Sequence, residues 1–283
     1  MKKLAFLILI ATANNNAIAN TYNTEVDASF TSKNYENRDV HASLVDVIYY
    51  FDAFNTNTGP LAEATFLNRS SDISAKYGFA DKTLGENFKT WGLGGRYLFR
   101  DYDLFVGVDY LEKSFDNIIR YDRITDRTKL EIGYYTNEYS LLTFSYSDSE
   151  YDVLSGSNND EITSSTDTFL LKYKYLFILE DDSSVSLYGH YAYSDREESD
   201  YEDYHTYSLG SDYYFNKKLS LGLDIAIFNS DDGSNDDSGS RITIKSSYYI
   251  TDSFSVYGNL SNIDIQGNTS DADIVKVGFS TRF

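Results

Sequence analysis

Three histidines, His41, His190 and His205, are the side chains in this sequence best suited to moving protons near neutral pH. An enzyme built on them would need a nucleophile within reach of a histidine, or paired acids beside one. Serines are abundant, yet none stands in the G-x-S-x-G context that exposes a nucleophile on a sharp turn. The plainer reading of each histidine is a solvated polar side chain, while a site assembled across strands stays open. There is no cysteine, so disulfides and thiolate metal sites are excluded. Two acidic clusters, residues 195–203 and 231–237, remain as candidates. The second has the Asp, Asn and Gly content of a calcium loop but lacks the glutamate that closes an EF-hand. It reads either as a weak cation site or as a highly charged, solvated loop.

Most of the remaining charge follows a pattern. The cations Lys76, Arg96, Arg127, Lys129, Lys172, Lys174, Arg241, Lys245, Lys276 and Arg282 each stand opposite an apolar face in a stretch of period two. The acids Glu25, Asp27, Asp46, Asp109, Glu131, Asp212 and Asp224 do the same. Trp91, Leu93, Tyr97 and Phe99 oppose Arg96, for example, and Leu219, Leu221, Leu223, Ile225 and Ile227 oppose Asp224. In water such apolar faces need a covering layer, whereas in a membrane lipid covers them and the opposite face stays wet. The whole chain divides into about fourteen such segments, with twelve as the alternative if the early ones are misread. The fold expected is all-β: a transmembrane antiparallel β-barrel with the charged faces lining its lumen.

Connection lengths support this. Arg100-Asp101, Asn137-Glu138, Glu180-Asp181-Asp182, Asn216-Lys217-Lys218 and Thr251-Asp252 are tight. Longer linkers, residues 114–125, 150–164, 195–203, 229–240 and 264–271, alternate with them. Short turns at one end and longer loops at the other are the habit of a membrane barrel, and a soluble sandwich has no reason to sort them so. Aromatics crowd the strand ends, as in Tyr213-Tyr214-Phe215, where interfacial girdles form. A chain with 27 Tyr, one Pro and one Trp suits that picture.

Met1-Lys2-Lys3, the apolar residues 4–11 and Ala17-Ile18-Ala19 have the three parts of a cleaved secretory leader, residues 1–19. The mature barrel would begin at Asn20. Loss of Lys2 and Lys3 with the leader makes a chain of formal charge −20 still more acidic, which argues against nucleic-acid binding.

Two stretches depart from simple alternation: near Val40 to Phe51 both faces carry apolar residues, and residues 52–68 break the pattern. Residues 52–68 contain Asn55-Thr-Asn-Thr-Gly-Pro60 followed by good helix formers, and read as a short helix or an irregular strand extension. No linker exceeds about 17 residues, so no large inward-folded loop is expected. Constriction would then fall to wall side chains such as Arg96, Lys172 and Lys174. The final stretch, residues 273–283, alternates to a terminal Phe283. It resembles the C-terminal assembly signal of bacterial outer-membrane β-barrels, with Lys276, Gly278 and Phe283 at the matching positions. Thr281 departs from that pattern, standing where a larger apolar residue is usual.

Tyr49-Tyr50-Phe51-Asp52-Ala53 and the following Gly59-Pro60-Leu61-Ala62-Glu63-Ala64-Thr65-Phe66-Leu67 resemble a segment of a porin family of γ-proteobacterial outer-membrane β-barrels. The resemblance implies a Gram-negative outer-membrane porin: a water-filled channel for passive diffusion of small hydrophilic solutes and ions, with no cofactor, metal or catalytic residue. Implied partners are outer-membrane lipid, lipopolysaccharide and the barrel-assembly machinery, with the chain a monomer or a homotrimer. The acidic loops could bridge to lipopolysaccharide phosphates through divalent cations. Two other readings stay open: a surface structural or adhesion barrel, and an outer-membrane lipase or protease.

Overall fold

The structure, a computed structural model, describes residues 21–35, 38–57, 59–82, 87–116, 121–155, 161–179, 182–196, 203–231, 238–265 and 271–283. The leader and most of the calcium-like loop lie outside the described residues. The strands are β1 (Thr21–Tyr35), β2 (Arg38–Asn55), β3 (Asp72–Lys82), β4 (Asn87–Phe99), β5 (Leu104–Asp116), β6 (Tyr121–Asn137) and β7 (Ser140–Ser155). They continue as β8 (Glu161–Ile178), β9 (Ser184–Arg196), β10 (Asp203–Tyr214), β11 (Leu219–Asp231), β12 (Ser238–Thr251), β13 (Phe254–Ile265) and β14 (Ala272–Arg282). Each pairs with its sequence neighbours and β1 pairs with β14, which closes a fourteen-stranded antiparallel barrel. Closure leaves no sheet edge, the condition for placing strands in lipid.

The expected seam is present. Val26 lies opposite Thr281, Ala28 opposite Phe279 and Phe30 opposite Val277. The Phe283 N–H donates to the Thr24 carbonyl at 2.9 Å, and the Phe283 carbonyl accepts from Asn23 at 2.9 Å. The terminal residue therefore extends the ladder between the first and last strands.

Period-two alternation turns one face of every strand outward. Leu221, Leu223, Ile225 and Ile227 on β11 are 44–52% exposed, so no protein layer covers that face. Lipid must cover it.

Two expectations need correction. The linkers at the loop end are largely strand. β5 runs to Asp116, β7 to Ser155 and β8 begins at Glu161, where longer loops were expected. A tilted strand crosses the apolar band in about ten residues, so the 18-residue β8 continues well beyond it. Pairing persists there as far as Leu154 opposite Glu161, and the Thr163 hydroxyl donates to Asp152 at 2.9 Å. Polar residues without proline do not break a ladder; they only make its outer part hydrophilic.

The second correction concerns the β2–β3 connection. It folds into the barrel at the end where the tight turns lie. Gly59 takes a left-handed φ of 70°, and Pro60, with φ of −65°, leads into a 3-10 turn, Leu61–Glu63. Helix α1 (Ala64–Asn68) follows and ends at Arg69, also left-handed. A helix this short cannot stand alone in water, so surrounding contacts hold it. The Asn68 amide donates to the Asn55 and Ala64 carbonyls at 2.7 and 2.6 Å, and its oxygen accepts from the Asn55 N–H at 2.8 Å. Tyr22, Tyr50, Phe54 and Ala64 form a buried apolar cluster between this plug and the wall. That cluster explains why β2 looks apolar on both faces: one meets lipid, the other the plug.

Candidate functional site

The inward faces and the plug together define the site. Glu63 is its hub, only 3% exposed. Its carboxylate accepts the Tyr214 hydroxyl from β10 and pairs with the Lys174 ammonium from β8. One turn earlier the Leu61 carbonyl accepts from Arg282 Nη1 of β14 at 2.9 Å, and the Leu61 N–H donates to the Lys217 carbonyl at 2.9 Å. On the other side Phe66 packs against a cluster of Leu98, Phe105 and Tyr135. Arg69 stacks 4.4 Å over the Tyr135 ring and pairs with Asp103 at 2.7 Å. These partners come from β4, β5, β6, β8, β10 and β14, so the plug is held from across the whole turn-end mouth.

The candidate wall residues all occur on strands at inward-facing positions, opposite the exposed apolar rows. Their environments differ. Arg282 is buried, with Nε 3.1 Å from Glu25 Oε2, and the plug covers it. Lys174 is engaged by Glu63. Arg96 is tied to Asp72 at 2.7 Å. Arg282 and Lys174 therefore brace the plug, and Arg96 braces the wall beside it.

Higher up, Lys129 pairs with Glu131. Arg241 lies 3.5 Å from Asp224, and Lys245 lies 3.0 Å from Asp212 while also contacting the Tyr188 hydroxyl. Tyr257 donates to Asp27 at 2.8 Å, and Lys276 sits 5.5 Å over the Tyr257 ring. Lys76, Arg127, Lys172 and Lys276 form no ion pair among the described residues. Asp109 Oδ1 lies against the Cα-only surface of Gly94, where a Cβ would come within 2.1 Å of it. That glycine gives the carboxylate its space. Gly278 likewise leaves room for the Tyr257 ring from β13.

Sequence reasoning missed Glu63 and Asp72 as inward-facing acids. Glu63 lies in a helix-forming run outside the strand alternation, and Asp72 starts β3 beside a turn. The second apolar face of β2 was the available signal that something packs inside.

The histidines are not brought together. His41 stacks on Phe30 with ring centroids 5.9 Å apart, on the lipid side. The His205 Nδ1 lies 3.0 Å from the Tyr191 hydroxyl, also outside, while His190 faces inward across from Lys172. Among the described residues no group of three or more His, Asp or Glu is placed to hold a metal ion.

A closed antiparallel barrel with a lipid-exposed apolar exterior and a charged, polar interior is an outer-membrane β-barrel of the channel-forming kind. The sequence belongs to the family described as "Putative general bacterial porin", which it matches over residues 1–276. The protein is thus a porin of the Gram-negative outer membrane. Its fold is similar to that of the Acinetobacter baumannii outer membrane protein Omp33, with 19% identity and a TM-score of 0.62 over 93% of this chain and 99% of that one. It is also similar to the CymD monoaromatic hydrocarbon channel, with 9% identity and a TM-score of 0.57 over 93% and 89% of the two chains. A third likeness is to a bacterial polysaccharide outer membrane secretin, with 10% identity and a TM-score of 0.55 over 93% and 99%. No curated protein matches the sequence.

Proposed function

We propose that this porin passes small hydrophilic solutes and ions by passive diffusion along the charged inner wall, and that the plug of residues 59–69 sets how often the path is open. The observation that carries the reading is the pairing of the two: a wall of alternating charges fit to replace a solute's hydration shell, and an inserted segment held by polar latches and two apolar clusters rather than by strand pairing. Conduction would need the plug to swing aside while the strand ladder stays intact. The reading assigns the chain no chemical step and no cofactor.

The candidate pore-lining set is Lys76, Arg96, Asp109, Arg127, Lys129, Glu131, Lys172, Lys174, Asp212, Asp224, Arg241, Lys245, Lys276 and Arg282. With the plug docked, Arg96, Lys174 and Arg282 serve as its supports; with it displaced, they would join the wall. Export would use the 1–19 leader, and insertion the Lys276, Gly278 and Phe283 signal read by the barrel-assembly machinery. Lipopolysaccharide phosphates would meet the acidic loops through divalent cations.

The extent of the plug's contacts supports a second reading, a structural barrel that never conducts. Purified protein in planar bilayers separates the two. A porin gives stepwise currents that grow in number with added protein. A structural barrel stays silent even when the plug is loosened.

A further inference from the structure

Beside the plug lies a cavity of about 170 Å³ with an apolar floor and a cationic rim. Phe66 of the plug, Phe105 and Leu141 line the floor; Arg96, Lys172 and Lys174 line the rim. Lys174 Nζ sits 4.8 Å over the Phe66 ring, and the Arg96 guanidinium 5.7 Å over Phe105. The same small space therefore offers ring surfaces and positive charge.

The charges there do not balance. Arg96 is matched by Asp72 and Lys174 by Glu63. Glu131, the next acid on the wall, is held by Lys129. Lys172 has neither an ion pair nor a hydrogen bond among the described residues, and its neighbour on the same face is another lysine. One positive charge is left over, exposed to the cavity, and a single anion would neutralise it. Charge-assisted hydrogen bonds to a carboxylate are the strong kind. The volume fits a ring as well, since an apolar cavity of about 150 Å³ takes up benzene. Pockets that combine apolar walls with a few placed polar groups are the usual form of a small-ligand site.

We propose that this cavity binds a small aromatic monocarboxylate, with its ring against Phe66, Phe105 and Leu141 and its carboxylate on Lys172. Because Phe66 belongs to the plug, the complete site exists only when the plug is docked. Occupancy then favours the docked state by a factor of about 1 + [ligand]/Kd. The ligand is in this sense a closing signal for the channel, and that part of the inference rests on the porin reading above.

The test uses benzoate as the probe and benzamide, its uncharged counterpart of similar shape, as the control. Calorimetric titration of the full-length barrel in detergent is expected to show one benzoate per chain, with benzamide at least tenfold weaker. Lys172→Met should weaken benzoate at least tenfold, while Lys33→Met, which removes an inward lysine of β1 that does not line the cavity, should leave it unchanged. Heat-modifiable migration on gels checks that each variant is a folded barrel. Equal affinity for benzoate and benzamide, unchanged binding by Lys172→Met, or no binding by the folded wild type would overturn the site. In bilayers, benzoate should lower the open probability of wild type and leave Lys172→Met unaffected. A protein that conducts without binding benzoate defeats this inference alone. One that binds benzoate but never conducts keeps the site and defeats the channel reading.

Discussion

Replacing Glu63 by Gln should loosen the plug without touching the barrel. The amide keeps the side chain's size, so no cavity opens, but the charge that holds Lys174 and orders the Tyr214 hydroxyl is lost. Hydrogen bonds to charged groups contribute about 1.5–3 kcal/mol, and removing one member of a buried pair costs about 3–5 kcal/mol. The Lys174 side chain is 22% exposed and recovers some hydration, which lowers the expected cost to about 2–3 kcal/mol. At about 1.4 kcal/mol per tenfold, the ratio of docked to undocked plug falls roughly 30- to 150-fold. Burial of Leu61 still contributes about 1.5–3 kcal/mol, and its backbone links to Arg282 and Lys217 survive. The variant should therefore flicker open rather than lose the plug. Single-channel recording reads this directly as a higher open probability at similar unit conductance. Adding Lys174→Met to Glu63→Gln should cost less than the two single changes summed, because no unpaired ammonium is left behind. A folded Glu63→Gln barrel whose open probability stays within about threefold of wild type would refute the latch argument.

Gly59→Ala should act in the same direction by another route. The left-handed φ of 70° is strained for alanine, and its Cβ would lie 2.7 Å from Leu67 Cδ1. A cost of about 1–2 kcal/mol should raise open probability roughly five- to thirtyfold, with the β-sheet circular dichroism unchanged. Deleting Phe283 removes the backbone links to Asn23 and Thr24 at the seam; outer-membrane yield should fall, and normal yield of folded barrel would contradict the role given to that residue. In a salt gradient the open channel should prefer cations weakly, because the chain's formal charge of −20 outweighs the cationic excess on its wall, and the preference should fade as salt rises. A reversal potential of clear anion sign would exclude it.

The barrel was legible because period-two alternation is a strong signal when one face meets lipid and the other meets water, as Leu221 to Ile227 opposite Asp224 illustrate. The seam was legible for the same reason, since Val26, Ala28 and Phe30 had to find Val277, Phe279 and Thr281. Strand ends were not, because polar stretches such as residues 150–155 pair as readily as they loop out once neighbouring ladders hold them. The plug was half legible. Pro60 and the helix formers after it gave the helix, but its destination depends on partners scattered from Tyr22 to Arg282. Only the second apolar face of β2, carried by Ile48, Tyr50 and Phe54, hinted that something filled the lumen beside it. Arg96, Lys172 and Lys174 were read as the constriction. The structure gives two of them acidic partners, Asp72 and Glu63, that alternation did not single out.

The account turns on whether a conducting lumen lies behind the plug, and one comparison tests it most directly. Residues 57–68 are replaced by a short Gly-Ser linker between β2 and β3, and the purified barrel is recorded beside wild type in planar bilayers. The account predicts that wild type opens briefly and in steps, while the plugless barrel stays open with a larger, salt-proportional conductance. A folded plugless barrel that passes no current would contradict it.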